Sequence, residues 1–323
     1  MARQSSLNIQ DYINDEVMDN LAETLDGVIE NIQAGCVSEA LKAKNGSGDP
    51  TTGSVEYKRF ANATIQDKGT ARANGKGNKV KAKPITVKID DDKEIIEELQ
   101  EKDLKLYGVD GMAKKRSKNA QDVIKTYYDR KFFRIGRDAG IQVSRVSGDT
   151  TKKIVDRLIS TAKVTKNDFV DGVGEELISL VVNTKYKGDL KDYLDSLPNG
   201  TTPSNGAIGM YQSVITYESN RMPSDVPAMV MLKEAIALPN YTSEYGAEKV
   251  PFDDAIALEL FAYSGGEALV PEIILYDCDY TYTKATISQF ASGTTYYTYN
   301  KGEYTAVPSS ATFDSEEAYY TRA

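Results

Sequence analysis

Histidine and tryptophan are both absent from the 323 residues, and cysteine occurs only twice. Without histidine the chain cannot build a Ser-His-Asp or Cys-His nucleophile, a His-ligated zinc site or a facial-triad iron centre. Cys36 and Cys278 lie far apart and fit neither a paired zinc motif nor a disulfide framework, so they read as reduced intracellular thiols. No run approaches the roughly 18 apolar residues of a membrane span. The polar start MARQSSLNIQDY is not a signal peptide, so a cytoplasmic origin is expected. A carboxylate-dependent glycosidase needs two placed acids and aromatic platforms; missing tryptophan weakens the second condition, and 48 acidic residues make the first uninformative.

What is present is charge, and it is unevenly placed. The net charge is −9, from 39 basic and 48 acidic residues, which argues against a dedicated nucleic-acid reader and for protein partners. By count, residues 1–45 carry about −5, residues 56–88 about +7 and residues 244–323 about −9. The length allows one large or two ordinary domains with a core that needs no staple.

Near the N-terminus Ile13, Val17, Leu21, Leu25, Val28, Ile29 and Ile32 recur at helical steps between acids, predicting an amphipathic helix in search of a surface. NGSGDPTTG at 45–53 then punctuates the chain. From Ser54 to Asp90, SVEYKRFANATIQD and VKAKPITVKID flank the tip KGTARANGKGN and read as a long, mostly polar hairpin. The first arm would reach about 45 Å if extended. With no evident apolar face, the hairpin is expected to lie on another subunit.

DDDKEIIEELQEKDLKLYG is read as a helix that starts at Asp90 to Asp92 and stops at Gly108. A long helix through Met112, Ala120, Val123, Ile124, Tyr127, Tyr128 and Phe132 follows, then a second, TTKKIVDRLISTAKV, burying Ile154, Leu158, Ile159 and Ala162. Leu177 to Val182 reads as a buried strand entering a helix bounded near Pro198. Strand and turn signals continue through IGMYQSVITYESNRMP, AMVMLKEAIALP and the pair around Gly265-Gly266. The order is α+β and mixed, unlike a regular nucleotide-binding sheet. Beyond Tyr280 the chain is crowded with Tyr and Thr, predicting a small, outward-facing β extension with a turn at Asn300-Lys301-Gly302.

This order of segments, together with the phrases SLVVNTKYKGDL, IGMYQSVITYESNRMPSD, PAMVMLKEAIAL and EKVPFDDAIALELFAYSGGEALVPEIIL, resembles the major capsid proteins of tailed bacteriophages, the Hong Kong 97-type capsid fold. The resemblance covers nearly the whole chain and rests on pattern rather than on any one motif. It implies an N-terminal arm (1–50), an extended hairpin loop (51–90), a peripheral domain with a spine helix (91–149), an axial domain (150–246), strands returning to the peripheral domain (247–279) and a C-terminal extension (280–323).

The resemblance also implies a structural protein, not an enzyme, that assembles with copies of itself as pentamers and hexamers into an icosahedral shell around double-stranded DNA. Such a protein resides in the virion and is assembled in the host bacterial cytoplasm. A separate scaffolding protein, a portal and a decoration protein are the further partners expected; the early start of the arm leaves no room for a built-in scaffold segment. An acidic container suits DNA that is enclosed rather than gripped.

A basic hairpin and acidic blocks on one chain favour a head-to-tail contact between copies. The residues expected in it are Lys58, Arg59, Lys68, Arg72, Lys76, Lys79, Lys81 and Lys83, with Ile13, Val17, Leu21, Leu25 and Val28 as the packing face of the arm. No catalytic, metal or cofactor residue is expected. Gly75-Lys76-Gly77 lacks the spacing of a phosphate loop. Some members of the resembled family cross-link a Lys to a neighbour's Asn, but no local motif marks the partners here, so non-covalent assembly is expected. The acid pairs Glu175-Glu176 and Asp253-Asp254 read as solvated or capping residues. Two rival readings are an encapsulin-like bacterial compartment, which shares the fold, and a bacterial surface or adhesion protein, suggested only by the Tyr/Thr-rich end.

Overall fold

The computed structural model describes residues 36–63, 65, 67–69, 82–100, 109–146, 148–194, 207–242, 246–249, 255–278, 282–300, 303–308, 311–315 and 317–322. The expected N-terminal helix and the hairpin tip beyond Gly69 lie outside them.

At the centre is a mixed sheet of strands β3 (Ile141–Gln142), β4 (Ile178–Val182), β5 (Ala207–Tyr211), β6 (Val214–Glu218), β7 (Ala228–Leu232) and β13 (Ile274–Asp277), ordered β3-β13-β7-β4-β6-β5. β4 pairs parallel with β6 and β13 with β3; the other neighbours are antiparallel. Helices cover both faces, so the runs ISLVV and AMVML are buried without alternation. Val181, Met229, Met231 and Ile274 pack on one side with Ile124, Tyr128, Phe132 and Phe133 of the long helix α2 (Val109–Ala139). Ile178, Leu180, Val182, Val230 and Leu275 pack on the other with Val155, Leu158, Ile159 and Ala162 of α3 (Thr151–Val164). Thr150 caps α3 by accepting from the Lys153 amide. β4 starts one residue later than the pattern predicts, because Leu177 belongs to a single 3-10 turn and is half exposed. Asn183 then caps the short α4 (Thr184–Leu190).

A second sheet forms the long edge of the molecule. β1 (Ser54–Phe60) pairs antiparallel with β2 (Ala82–Gln100), and β2 continues alongside β11 (Ala255–Gly265), which also pairs with β9 (Asn240–Thr242) and β10 (Gly246–Lys249). The segment DDDKEIIEELQ is therefore strand, not the start of a helix, and β2 runs for 19 residues, with a register irregularity at Asp90. The reason is tertiary. Its alternate positions Asp91, Lys93, Ile95 and Glu97 face α2, and the charged ones find partners there, so an inward face exists that no apolar pattern announces.

The hairpin base is a second correction. Val55, Tyr57 and Val87 are buried with Ala43 and with Ala237 of β8 (Ile236–Ala237), so the base packs on its own chain. The short β12 (Glu267–Ala268) pairs with β8.

Ahead of the hairpin, α1 (Val37–Leu41) is tied to α2: the buried Asp129 carboxylate accepts from the Ser38 amide at 2.9 Å and its hydroxyl, and pairs with Arg221 at 2.8 Å. Cys36 and Cys278 are free and buried. Burial and the neighbouring Asp129 carboxylate push the Cys36 thiol up to about 12.

The C-terminal strands β14 (Tyr282–Lys284), β15 (Tyr296–Asn300), β16 (Glu303–Ala306) and β17 (Tyr319–Arg322) form their own sheet, ordered β14-β17-β15-β16. Phe290, Tyr296, Phe313 and Tyr319 make a ring cluster with centroids 4.9 to 5.5 Å apart. The Tyr/Thr-rich end thus has a small aromatic core.

Candidate intersubunit surface

The hairpin arm carries the candidate surface. Its register runs from Ser54↔Lys88 to Phe60↔Ala82. Side chains alternate, so Val55, Tyr57 and Val87 turn inward while Lys58 and Phe60 turn to solvent. Lys58 lies 3.4 Å from Glu56, both exposed. Lys68 and Lys83 are exposed, as is Ile65, at 97%. Of the other sequence-predicted contacts, Arg72, Lys76, Lys79 and Lys81 around the tip, and Ile13, Val17, Leu21, Leu25 and Val28 in the arm helix, lie outside the described residues.

Arg59 is engaged within its own chain. Its Nη1 donates to both Glu272 oxygens at 3.1 Å and to the Leu269 carbonyl at 3.4 Å, and its guanidinium lies 4.5 Å over the Phe169 ring. The buried Nη2 has no partner among the described residues. Further out, the Asn62 amide donates to the Asp168 carbonyl at 3.1 Å. Between arm and body lies a cavity of about 230 Å³ lined by Tyr57, Arg59, Ile85, Leu269 and Glu234. Glu234 has φ +65°, and its carboxylate accepts from Asn45 at 3.4 Å.

Along β2 the charge changes sign. Lys83 and Lys88 occupy the arm half, whereas Asp90, Asp92, Glu94 and Glu98 stand exposed on the outer face of the body half, beside half-exposed Ile96. The inner face rests on a stripe of α2. Arg116 grips Glu97 bidentately, with Nε to Oε2 at 2.7 Å. Lys131 reaches Asp91 at 2.7 Å, and Tyr127 donates to the same carboxylate. Burial by itself raises the Asp91 carboxyl, but hydrogen bonds from Lys131, Lys93 and Tyr127 outweigh it and hold the group well below the usual range. Burial lowers the Lys131 amine, partly offset by Asp91.

Lys131, Arg116 and Asp91 were not singled out from sequence. The available signal was a pair of cations closing the ends of the stripe Arg116, Ala120, Ile124, Tyr127, Lys131. Glu175 pairs with Lys163, and Asp253-Asp254 lies outside the described residues. Among the described residues no cluster of three or more potential metal ligands occurs, and no helix is long and apolar enough to cross a membrane. Exposed basic and acidic stretches lie along one strand of this surface.

No family model and no curated protein matches the sequence. Solved structures do match the fold. The structure titled Gordonia phage Cozz aligns over 75% of this chain and 85% of its own, at 11% identity and TM-score 0.51. A virus-like particle from Pyrococcus furiosus aligns over 80% and 97%, at 12% identity and TM-score 0.50. The capsid of Ralstonia phage GP4 aligns over 73% and 84%, at 13% identity and TM-score 0.50.

Proposed function

Starting from a chain with the α+β Hong Kong 97-type capsid fold, we propose that it is the major head protein of a tailed bacteriophage. Its copies associate as pentamers and hexamers into an icosahedral shell around double-stranded DNA, and the protein resides in the virion. The observation that carries this reading is the β1/β2 arm. β2 spans roughly 60 Å at about 3.3 Å per residue. It is basic toward the tip and acidic where it crosses the body. A strand with opposite charge at its two ends is matched to a second copy of itself shifted along the ring, which is a heterologous contact that closes.

The work is mechanical, and no side chain is assigned a catalytic role. A separate scaffolding protein, a portal and a decoration protein are the further partners this reading calls for. The acidic total suits a container that must not hold its DNA tightly. Likeness to a virus-like particle favours a second reading, an encapsulin-like compartment whose shell holds a protein cargo.

Electron microscopy of the purified protein tests the shell. Closed particles are expected, and a product that stays monomeric under every assembly condition overturns the proposal. Nucleic acid in particles from a lysate supports the head protein, and one co-purifying enzyme supports the compartment. Exchanging Lys76, Lys79 and Lys81 for Glu is expected to abolish particles while leaving the subunit folded; normal particles from that variant refute the electrostatic role of the arm.

A further inference from the structure

The arm strand β2 is unusual in its inward face. Between Ile89 and Gln100 the described residues on the α2 side are Asp91, Ile95, Glu97 and the half-exposed Lys93, and of these only Ile95 packs against the main apolar core. Register in a sheet is normally fixed by burying an apolar face, and a strand without one is weakly specified. Buried Val87 anchors the arm half of the strand, so it is the body half that needs something else to hold it against β11.

We infer that two ion-pair keys on α2, Lys131 with Asp91 and Arg116 with Glu97, set the register of β2 and so the distance to which the hairpin arm projects. Spacing supports this. Residues 116 and 131 are separated by roughly 22 Å along a helix. Residues 91 and 97 are separated by roughly 20 Å along a strand. The two ladders match at both ends, and only when both pairs form.

Lys131 also reads the partner strand. Its Nζ lies 2.9 Å from Ser264 Oγ and 3.1 Å from the Ser264 carbonyl, and Ser264 is the register partner of Asp91. The next pair is Gly265↔Ile89, leaving Asp90 as the extra residue of a bulge. One ammonium therefore touches both strands where β2 leaves β1 and joins β11. Gly265 closes the joint, since a Cβ there would stand 2.1 Å from the Lys88 carbonyl oxygen.

The alternatives are penalised in both directions. A two-residue slip keeps the inward face inward, so alternation does not prevent it. Slipped one way, Lys93 meets Lys131, cation on cation. Slipped the other way, Ile89 meets Lys131 and Ile95 meets Arg116, leaving both cations without a carboxylate. Either slip displaces the arm by about 7 Å, enough to miss a complementary surface on a neighbour. This last step rests on the proposed assembly role; the register claim does not.

Spin labels on cysteines placed at the exposed positions Lys83 and Val164 measure the arm against the body in the unassembled subunit. One narrow distance is expected in the parent. Glu97→Arg, Arg116→Glu and Lys131→Met are each expected to add a population displaced by about 7 Å, with fewer particles under the microscope. The swap Glu97→Arg with Arg116→Glu restores the single distance. An effect on stability alone would lower the melting temperature without moving the labels. A folded Glu97→Arg or Arg116→Glu subunit with an unchanged single distance, or a swap that fails to restore it, overturns the inference. If the parent forms no particles while the labels respond as expected, the keys stand and the shell reading falls.

Discussion

Asp277, whose side chain is wholly buried, is clasped by Arg145, with Nε and Nη2 on its two oxygens at 2.7 and 2.6 Å. Tyr186 donates a third bond at 2.7 Å. The clasp joins β13, the loop after β3 and α4. Losing one partner of such a pair costs more than losing both, because a buried charge is left alone. Arg145→Met is expected to destabilise the unassembled subunit by about 3 kcal/mol, and adding Asp277→Asn is expected to recover part of that loss. Urea midpoints of the single and double variants check it; strictly additive losses would contradict the account.

The β5–β6 turn places Gln212 and Ser213 at φ +47° and +66°, where Asn-Gly is the preferred pair. Gln212 earns its position by donating to Asp156 at 2.9 Å, whereas among the described residues no bond from the Ser213 side chain explains its choice. Ser213→Gly is expected to stabilise the subunit by about 0.5–1 kcal/mol, read as a higher melting temperature.

Gly265→Ala is expected to do the reverse. The added methyl collides with strand backbone at the Lys88 carbonyl, not with a flexible side chain, so β2 and β11 must part at the joint. Faster amide exchange in residues 82–93, with β4 and β7 unchanged, is the expected signature.

The C-terminal sheet has its own ring cluster, and its backbone bonds Ala285 to Tyr319 and Val307 to Tyr296 are internal. Phe290→Ala is expected to cost about 3 kcal/mol, more than so small a module can spare. It should melt the module while the main transition stays in place. Calorimetry tells the two apart, and a matching shift of the main transition would show that the module and body unfold as one unit.

Stability should be nearly flat between about pH 6 and 8, because no side chain here has its ordinary pKa in that window. Asp91 and Glu218 are both held low, Asp91 by bonds that outweigh its burial and Glu218 chiefly by Lys187. Carboxyls depressed in the folded state contribute fully above their unfolded value of roughly 4 and lose that contribution as pH falls through the folded value. Melting temperature is therefore expected to drop below about pH 4, and less steeply in Asp91→Asn.

Much of the fold was legible because it was written in apolar period. Leu158 and Ile159 marked α3, Phe132 marked α2, and the ISLVV run marked β4. The arm was legible only to Asp90. Beyond it, Asp91, Lys93 and Glu97 look like the exposed side of a helix until Lys131, Tyr127 and Arg116 are brought against them by the long helix. Arg59 shows the same limit at the candidate surface. Nothing local distinguishes it from the other cations of the hairpin, because its partner Glu272 is 213 positions away.

The two thiols have a practical consequence. Both are buried, and the Cys36 thiol, raised to about 12, is almost never a thiolate at neutral pH. Maleimide dyes and mild oxidants should pass over the native chain. Any cysteine introduced at Lys58, Ile65 or Lys83 becomes the one reactive handle per subunit, at a point along the arm chosen by the experimenter, without first stripping the protein of its own sulfur.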